Sequence, residues 1–214
     1  MYICLEGLKG CGKSTLLTAA RHLLTTRQVA FSTVAPTQAV PAGRSWRERL
    51  TGRVPCLRRL DAWNDALYAD RANYAAATAD WQRPLVLGDR CIVTSYATRW
   101  RKWGDPKRCI ERVDQREALV PAPDHVILLD VEPAVAWERA LTRRRGYGQR
   151  DETLPRLLEA REAYHQIATF GIDRLAHTQW HTLNGNQPAP AVFQDWLRLM
   201  ERLAPATFST PLFS

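Results

Sequence analysis

Residues 2–14 read YICLEGLKGCGKS and set the architecture of the chain. They join an apolar segment at 2–5 to the pattern G-x-x-x-x-G-K-S at 7–14, and the next residues, TLLTAA at 15–20, have the composition of a helix. Glycines let successive backbone N–H groups converge on one phosphate, and the helix behind them presents the positive end of its dipole. The order strand, loop, helix therefore predicts an α/β fold of the P-loop NTPase class.

The loop supplies the predicted nucleotide-binding residues. Lys13 would reach the β- and γ-phosphates of ATP as a catalytic group, and the Ser14 hydroxyl would hold Mg²⁺. Cys11 is expected to fill space while its backbone N–H faces the phosphate. The full predicted set is Gly7, Leu8, Lys9, Gly10, Cys11, Gly12, Lys13, Ser14 and Thr15.

Composition limits the classes that remain. The chain has 214 residues and a formal net charge of +8, which suits one α/β domain and a polyanionic partner. We expect a single domain over residues 1–204 and a tail over 205–214. Five cysteines without C-x-x-C spacing indicate neither a disulfide framework nor a zinc site. No apolar run approaches the ~20 residues of a membrane span and no signal peptide is recognisable, so we expect a soluble cytoplasmic protein without a membrane partner.

Strands and helices alternate along the rest of the chain. Apolar or β-branched runs predict strands at 29–34, 84–89, 124–131 and 179–183, and helical patterns lie at 13–26, 58–81, 152–169 and 190–203, with another from about 133. This alternation indicates a doubly wound parallel sheet with flanking helices. The segment 36–57 carries several Gly and Pro residues and is predicted to be a loop with one or two helical turns that would close over a substrate.

The apolar strand at 84–89 ends in an aspartate, and an arginine follows it directly. Asp89 is placed like a Walker B carboxylate, where it would bind Mg²⁺ or accept a proton from an attacking hydroxyl. Arg90 would offer a bidentate cation at the carboxyl edge of the sheet, where open α/β sheets bind ligands. A surface ion pair at the end of a strand is the structural alternative for both residues.

The chain resembles the thymidylate kinase family of nucleoside monophosphate kinases over nearly its whole length. That family typically shows E-G-[ILV]-[DE]-G-x-G-K-[ST], then A-D-R on a long helix, then a strand ending in D-R-[YF], then a lid with arginines. The matching residues are EGLKGCGKS at 6–14, ADR at 69–71, DRC at 89–91 with Ser95 and Ala97, the strand at 124–130, the arginine-rich segment 139–152 and Tyr164.

The resemblance implies roles for several arginines. Arg71 and Arg90 would bind the phosphate of the acceptor. The lid, about residues 139–152, would contribute Arg139, Arg143, Arg144 and Arg150, with Arg143 as a catalytic residue that stabilises the phosphoryl group in transfer. A solvated arginine run at a helix C-terminus is the structural alternative for the lid, and an exposed charge on a helix is the alternative for Arg71. Related kinases are commonly homodimers, so a homodimer is also expected.

The sequence departs from the family pattern where the acceptor would bind. Lys9 stands where the family has an acidic residue that receives the 3′-hydroxyl of the acceptor sugar, and a lysine cannot accept that hydrogen bond. The family has R-E-P after the second strand, and this chain has VAP at 34–36 instead. Arg99 stands where the family has the glutamine that contacts thymine. We therefore expect Lys9 and Arg99 to contact an altered acceptor.

Three functions remain open on these residues. We favour a kinase for 5-hydroxymethyluracil in DNA, because Lys9, the positive net charge and the segment RWRKW at 99–103 suit a polynucleotide. The structural alternative for Trp100 and Trp103 is a pair of core residues at helical spacing. The alternatives are a kinase for a free deoxynucleoside monophosphate such as dTMP, and a nucleotide-binding switch or ATPase.

Overall fold

The computed structural model describes residues 1–41, 45–142 and 153–208, except the side chain of Arg58. Their sheet is parallel, with the strand order β2-β3-β1-β4-β5. The strands are β1 (Tyr2–Gly7), β2 (Phe31–Val34), β3 (Leu85–Asp89), β4 (His125–Asp130) and β5 (Gln179–Asn184). The predicted doubly wound parallel sheet is confirmed.

The helices of the described residues flank this sheet. They are α1 (Lys13–Thr26), α2 (Trp46–Arg53), α3 (Asp61–Thr78), α4 (Ile92–Arg99), α5 (Pro106–Arg116), α6 (Pro133–Leu141), α7 (Leu154–Thr169), α8 (Ala189–Leu203) and α9 (Pro205–Phe208). A short 3₁₀ helix, Pro55–Arg59, joins α2 to α3. No helix in the described ranges combines the length and the apolar character that crossing a lipid bilayer requires.

β1 forms the centre of the sheet and carries the loop at its end. All of its residues are buried, and Leu5 lies beside Asp89 of β3 while Gly7 lies beside Leu129 of β4. The chain leaves β1 toward the β2 edge and leaves β3 toward β4. Right-handed crossovers in opposite directions put the connecting helices on opposite faces, which leaves a crevice at the carboxyl ends of β1 and β3. The P-loop and Asp89 meet at this crevice.

The segment expected to be a tail begins with the helix α9. Phe208 at the end of α9 is only 1% exposed, and its ring meets that of Trp196 on α8 edge to face at 5.7 Å. The Nη1 atom of Arg27 donates to the Phe208 carbonyl at 2.6 Å. Residues 205–208 are therefore part of the packed fold, because one large apolar side chain reaches the core. The remaining residues of the predicted tail, 209–214, lie outside the described ranges.

Candidate functional site

The loop after β1 has the backbone that a phosphate cradle needs. Gly10 and Gly12 adopt φ values of +91° and +102°, which residues with a side chain rarely adopt. A Cβ at Gly10 would lie 2.3 Å from the carbonyl oxygen of Ala136, so α6 leaves no room for a side chain there. Gly12 directly precedes α1 and leaves the N-terminus of that helix open. The backbone N–H groups of the loop can therefore donate hydrogen bonds to the phosphates of ATP.

Lys13 folds back over this loop. Its Nζ atom donates to the carbonyl oxygens of Gly7 and Leu8, each at 2.8 Å, and the side chain is buried. Burial lowers the pKa of Lys13, and the positive charge of Arg90 lowers it further. The amine would exchange these carbonyls for phosphate oxygens, which satisfy a buried cation better because they are charged.

The predicted metal ligands stand at the mouth of the crevice. Ser14 is exposed in the first turn of α1, and Asp89 is half-buried at the end of β3. A hydroxyl and a carboxylate are hard oxygen donors of the kind that Mg²⁺ prefers. This donor set fits Mg²⁺ bound together with ATP.

Arg90 is held in a strained conformation beside the loop. Its φ of +74° is unusual for a residue with a side chain. The Nη1 atom donates to the hydroxyl of Thr94 at 2.9 Å and to that of Tyr164 at 3.1 Å, and it lies 3.7 Å from Glu6 Oε2. Burial by itself would lower the pKa of Arg90. The neighbouring groups, with Tyr164 and Glu6 foremost, have the larger combined effect and raise it. Arg90 is thus a permanent, fixed cation at the crevice.

Glu6 is the carboxylate around which this cluster is built. It is fully buried; its Oε1 accepts the backbone N–H groups of Cys91 at 2.9 Å and Thr94 at 3.1 Å. Its Oε2 accepts the hydroxyls of Thr94 at 2.6 Å and Tyr164 at 3.0 Å. No role for Glu6 was predicted from the sequence, although a lone acid in an apolar strand was a usable signal, since buried acids need partners.

A cavity of about 410 Å³ lies along the β2 edge of the crevice; we call it the β2 cavity. The end of β2 and the segment after it form one wall, α1 and α3 form others, and Asp89 lies at its lining. Arg21, Arg71 and Tyr74 also line it. The cavity thus places the predicted residues Asp89 and Arg71 together.

Arg71 lines this cavity and is hydrogen-bonded to a residue of α2. Its Nε atom donates to Glu48, and both side chains are 12% exposed. Its guanidinium lies over the ring of Tyr68, 5.3 Å from the ring centroid. Arg71 is therefore not the exposed charge of the structural alternative.

Arg99 is paired inside the protein. It is 5% exposed, and its Nε donates to Asp65 on α3 at 2.9 Å. Lys102 donates to the same carboxylate at 2.8 Å. Trp100 is a core residue whose indole N–H donates to Gln166 at 2.7 Å. Arg99 and Trp100 therefore have structural roles, whereas Arg101 and Lys102 of the same segment are exposed.

The lid residues are described only in part. Arg139 donates to the carbonyl oxygens of Gly185 at 2.7 Å and Asn186 at 3.3 Å, so it braces the turn after β5. Arg143, Arg144 and Arg150 lie outside the described residues. Lys9 is half-buried in the loop.

One further cation was missed by the sequence analysis. Arg161 on α7 forms a bidentate pair with Asp130 at the end of β4, with distances of 2.8 and 2.9 Å. A side-chain hydrogen bond from Arg161 holds the pKa of Asp130 below its usual value, against the effect of burial. The spacing of Arg161 three residues before Tyr164 was a usable signal, because residues three apart share a helix face.

Comparison with known proteins agrees with this geometry. A family model described as thymidylate kinase matches residues 5–195. The thymidylate kinase of Leptospira borgpetersenii is 31% identical over 173 residues, covering 78% of this chain and 80% of that protein. A probable thymidylate kinase of Pyrobaculum aerophilum is 28% identical over 208 residues, covering 94% and 97%. The thymidylate kinase of Halorhodospira halophila is 31% identical over 201 residues, covering 87% of this chain and 87% of that protein. The chain therefore belongs to the thymidylate kinase family and is an ATP-dependent nucleotide kinase that uses Mg²⁺.

Proposed function

We propose that the chain transfers the γ-phosphate of ATP to a free deoxynucleoside monophosphate, with dTMP as the first acceptor to test. The β2 cavity carries the proposal, because it holds Arg71 together with Asp89, and Asp89 lies beside β1 at the crevice. The relatives named as thymidylate kinases support dTMP. The DNA acceptor has weaker support, since Trp100 and Arg99 are engaged inside the fold.

The proposed reaction is an in-line displacement at the γ-phosphorus. An oxygen of the acceptor phosphate forms the new P–O bond, the bond to the β-phosphate oxygen breaks, and ADP leaves. The acceptor oxygen is already ionised near neutral pH, because the second pKa of a phosphate monoester is about 6. Asp89 then needs to act only as a ligand of Mg²⁺, which would neutralise charge on the β- and γ-phosphates when bound.

Three cations are proposed to act on the phosphates, and Lys9 is proposed to contact the acceptor sugar. Lys13 draws charge from the phosphoryl oxygens as they pass through the transition state, and Arg90 holds the acceptor phosphate in line. Arg143 is proposed to supply a further cation from the lid. Lys9 is proposed to contact the acceptor sugar without the hydrogen bond that an acidic residue would accept from its 3′-hydroxyl, since a lysine offers only donors.

The test is a panel of acceptors with ATP labelled in the γ-phosphate. We expect a labelled diphosphate from dTMP or another monophosphate, and none from the Lys13→Ala variant. Transfer to DNA containing 5-hydroxymethyluracil, with no transfer to any monophosphate, would replace this proposal with the DNA alternative. Release of inorganic phosphate with no labelled acceptor would favour the ATPase or switch.

Lys9→Asp tests the proposed role of the loop lysine. An acidic side chain restores an acceptor for the 3′-hydroxyl, so activity on dTMP should rise relative to the unmodified protein. Lys9→Ala separates removal of the charge from the gain of the hydrogen bond. Equal dTMP activity in all three proteins would show that Lys9 does not select the acceptor.

A further inference from the structure

The contact between α2 and α3 links a predicted loop to the β2 cavity. Two ion pairs cross it, with neighbouring residues on each helix. Arg47 Nη1 lies 2.7 Å from Asp70 Oδ1, and Glu48 accepts from Arg71 Nε. Of the two arginines in these pairs, Arg71 lines the β2 cavity.

The two ion pairs differ in how far they are exposed to water. The Arg47 pair is about 30% exposed on both sides, so water competes for it and it is a weak contact. The Glu48 pair is 12% exposed on both sides, so it is less screened. Arg47 and Glu48 are therefore neighbours in α2 whose ion pairs lie in different environments.

The contacts of Arg71 fix its guanidinium from two directions. Glu48 holds the Nε edge, and the Tyr68 ring lies under the face. Within the described ranges, the two terminal nitrogens of Arg71 make no hydrogen bond. A guanidinium held at Nε and on its face keeps its terminal N–H groups free to donate to two oxygens of one ligand.

We propose that Glu48 is a positioning residue, which fixes Arg71 so that its terminal nitrogens point to the oxygens of the acceptor nucleotide. This inference rests on the proposed function, because it requires the β2 cavity to be the acceptor site. Holding the side chain in place before binding removes part of the entropy cost of ordering it. Glu48 thereby acts on acceptor affinity and not on ATP.

The test compares Glu48→Gln with Arg47→Gln as the matched control, since both variants remove one ion pair between the same helices. Acceptor binding is measured by calorimetry with dTMP in the absence of ATP, and KM for dTMP and for ATP is measured separately. Glu48→Gln should weaken dTMP binding about tenfold, as expected for the loss of one charge-assisted contact. Arg47→Gln should change it less than about twofold, as for an exposed pair.

Two more variants separate positioning from packing. Glu48→Asp keeps the charge and should recover part of the affinity. In an Arg71→Gln background, Glu48→Gln should have no further effect, because two residues that act through one contact are not additive. KM for ATP should stay unchanged in all of these variants.

The outcomes distinguish this inference from the proposed function. An equal loss of dTMP affinity in Arg47→Gln and Glu48→Gln would show that the pair only docks α2, and unchanged or tighter binding in Glu48→Gln would also overturn the inference. Binding of dTMP that depends on Glu48, without any phosphoryl transfer, would support the inference and overturn the function. No binding of any monophosphate by the unmodified protein would overturn both.

Discussion

At the scale of single residues, the site depends on a fully buried carboxylate. Glu6 accepts hydrogen bonds from the start of α4 and from Tyr164, and its charge faces Arg90. The left-handed backbone of Arg90 is strained, and such strain persists only where the surroundings fix it. Glu6 therefore determines where the cation beside the P-loop stands.

Glu6→Gln should weaken both the site and the fold. The amide has the same shape, but it removes the charge opposite Arg90 and turns N–H donors toward groups that are themselves donors. We expect a loss of about 2–4 kcal/mol in the free energy of unfolding and at least about a tenfold fall in kcat/KM. Urea denaturation and steady-state kinetics check this. The milder Tyr164→Phe, which keeps the carboxylate, is the control, and equal unfolding midpoints for Glu6→Gln and the unmodified protein would contradict the prediction.

At the scale of elements, α2 supplies the one or two helical turns predicted among prolines and glycines, although its limits were not predicted. The segment 36–57 was predicted to be a loop with one or two turns, and α2 occupies eight of its residues. Its start is marked by Ser45, whose hydroxyl accepts from the backbone N–H of Glu48 at 3.4 Å. The pattern S-x-x-E is a helix N-terminus signal, so the start of the helix could have been found from sequence.

The strands β4 and β5 carry a histidine pair that should make stability depend on pH. His125 Nδ1 lies 3.2 Å from His181 Nε2. Burial lowers the pKa of both imidazoles, and the neighbouring His125 lowers that of His181 further. The folded state therefore binds fewer protons than the unfolded state, so stability is present above the ordinary histidine pKa and is lost as pH falls through it.

We expect the free energy of unfolding to fall between pH 7 and pH 5, in the range set by an ordinary histidine pKa of about 6.5. His181→Gln keeps a hydrogen-bonding side chain that does not titrate, so its stability should fall less over the same range. Chemical denaturation at several pH values measures this. Parallel pH curves for the two proteins would show that the pair contributes nothing.

The last helix offers a second test at this scale. Phe208→Ala removes a buried ring that packs on Trp196, which should cost about 2–4 kcal/mol of stability. Leu119→Ala changes a side chain that is 65% exposed and should cost less than about 0.5 kcal/mol. Thermal unfolding of the two variants compares them. An unchanged Tm for Phe208→Ala would mean that α9 does not dock on α8.

At the scale of the whole molecule, the site is one crevice shared by both halves of the sheet. β1 supplies the P-loop, β3 supplies Asp89, and α7 supplies Tyr164. A ligand that binds across these elements holds them together only in the folded state. Binding should therefore appear as global stabilisation.

ATP with Mg²⁺ should raise the Tm of the unmodified protein. At a concentration about 100 times the Kd, the gain is about 2.7 kcal/mol, which corresponds to roughly 5–10 °C for a chain of this size. Lys13→Ala should lose most of this shift, whereas Lys107→Ala, which removes an exposed lysine on α5, should keep it. Scanning calorimetry with and without nucleotide measures the shift. A shift of equal size in Lys13→Ala would contradict the assignment of the P-loop.

The P-loop, the limits of α1, the order of the strands along the chain and the family resemblance could be predicted from the residues alone, because they follow from local backbone requirements and from periodicity. The partners of the charged side chains could not be predicted, because they depend on packing. Arg99 meets Asp65 across 34 residues and Tyr164 meets Glu6 across 158. The crossovers bring such side chains together only once the helices have packed on the sheet, so an arginine that reads as a ligand in sequence is bound by a neighbour in the fold.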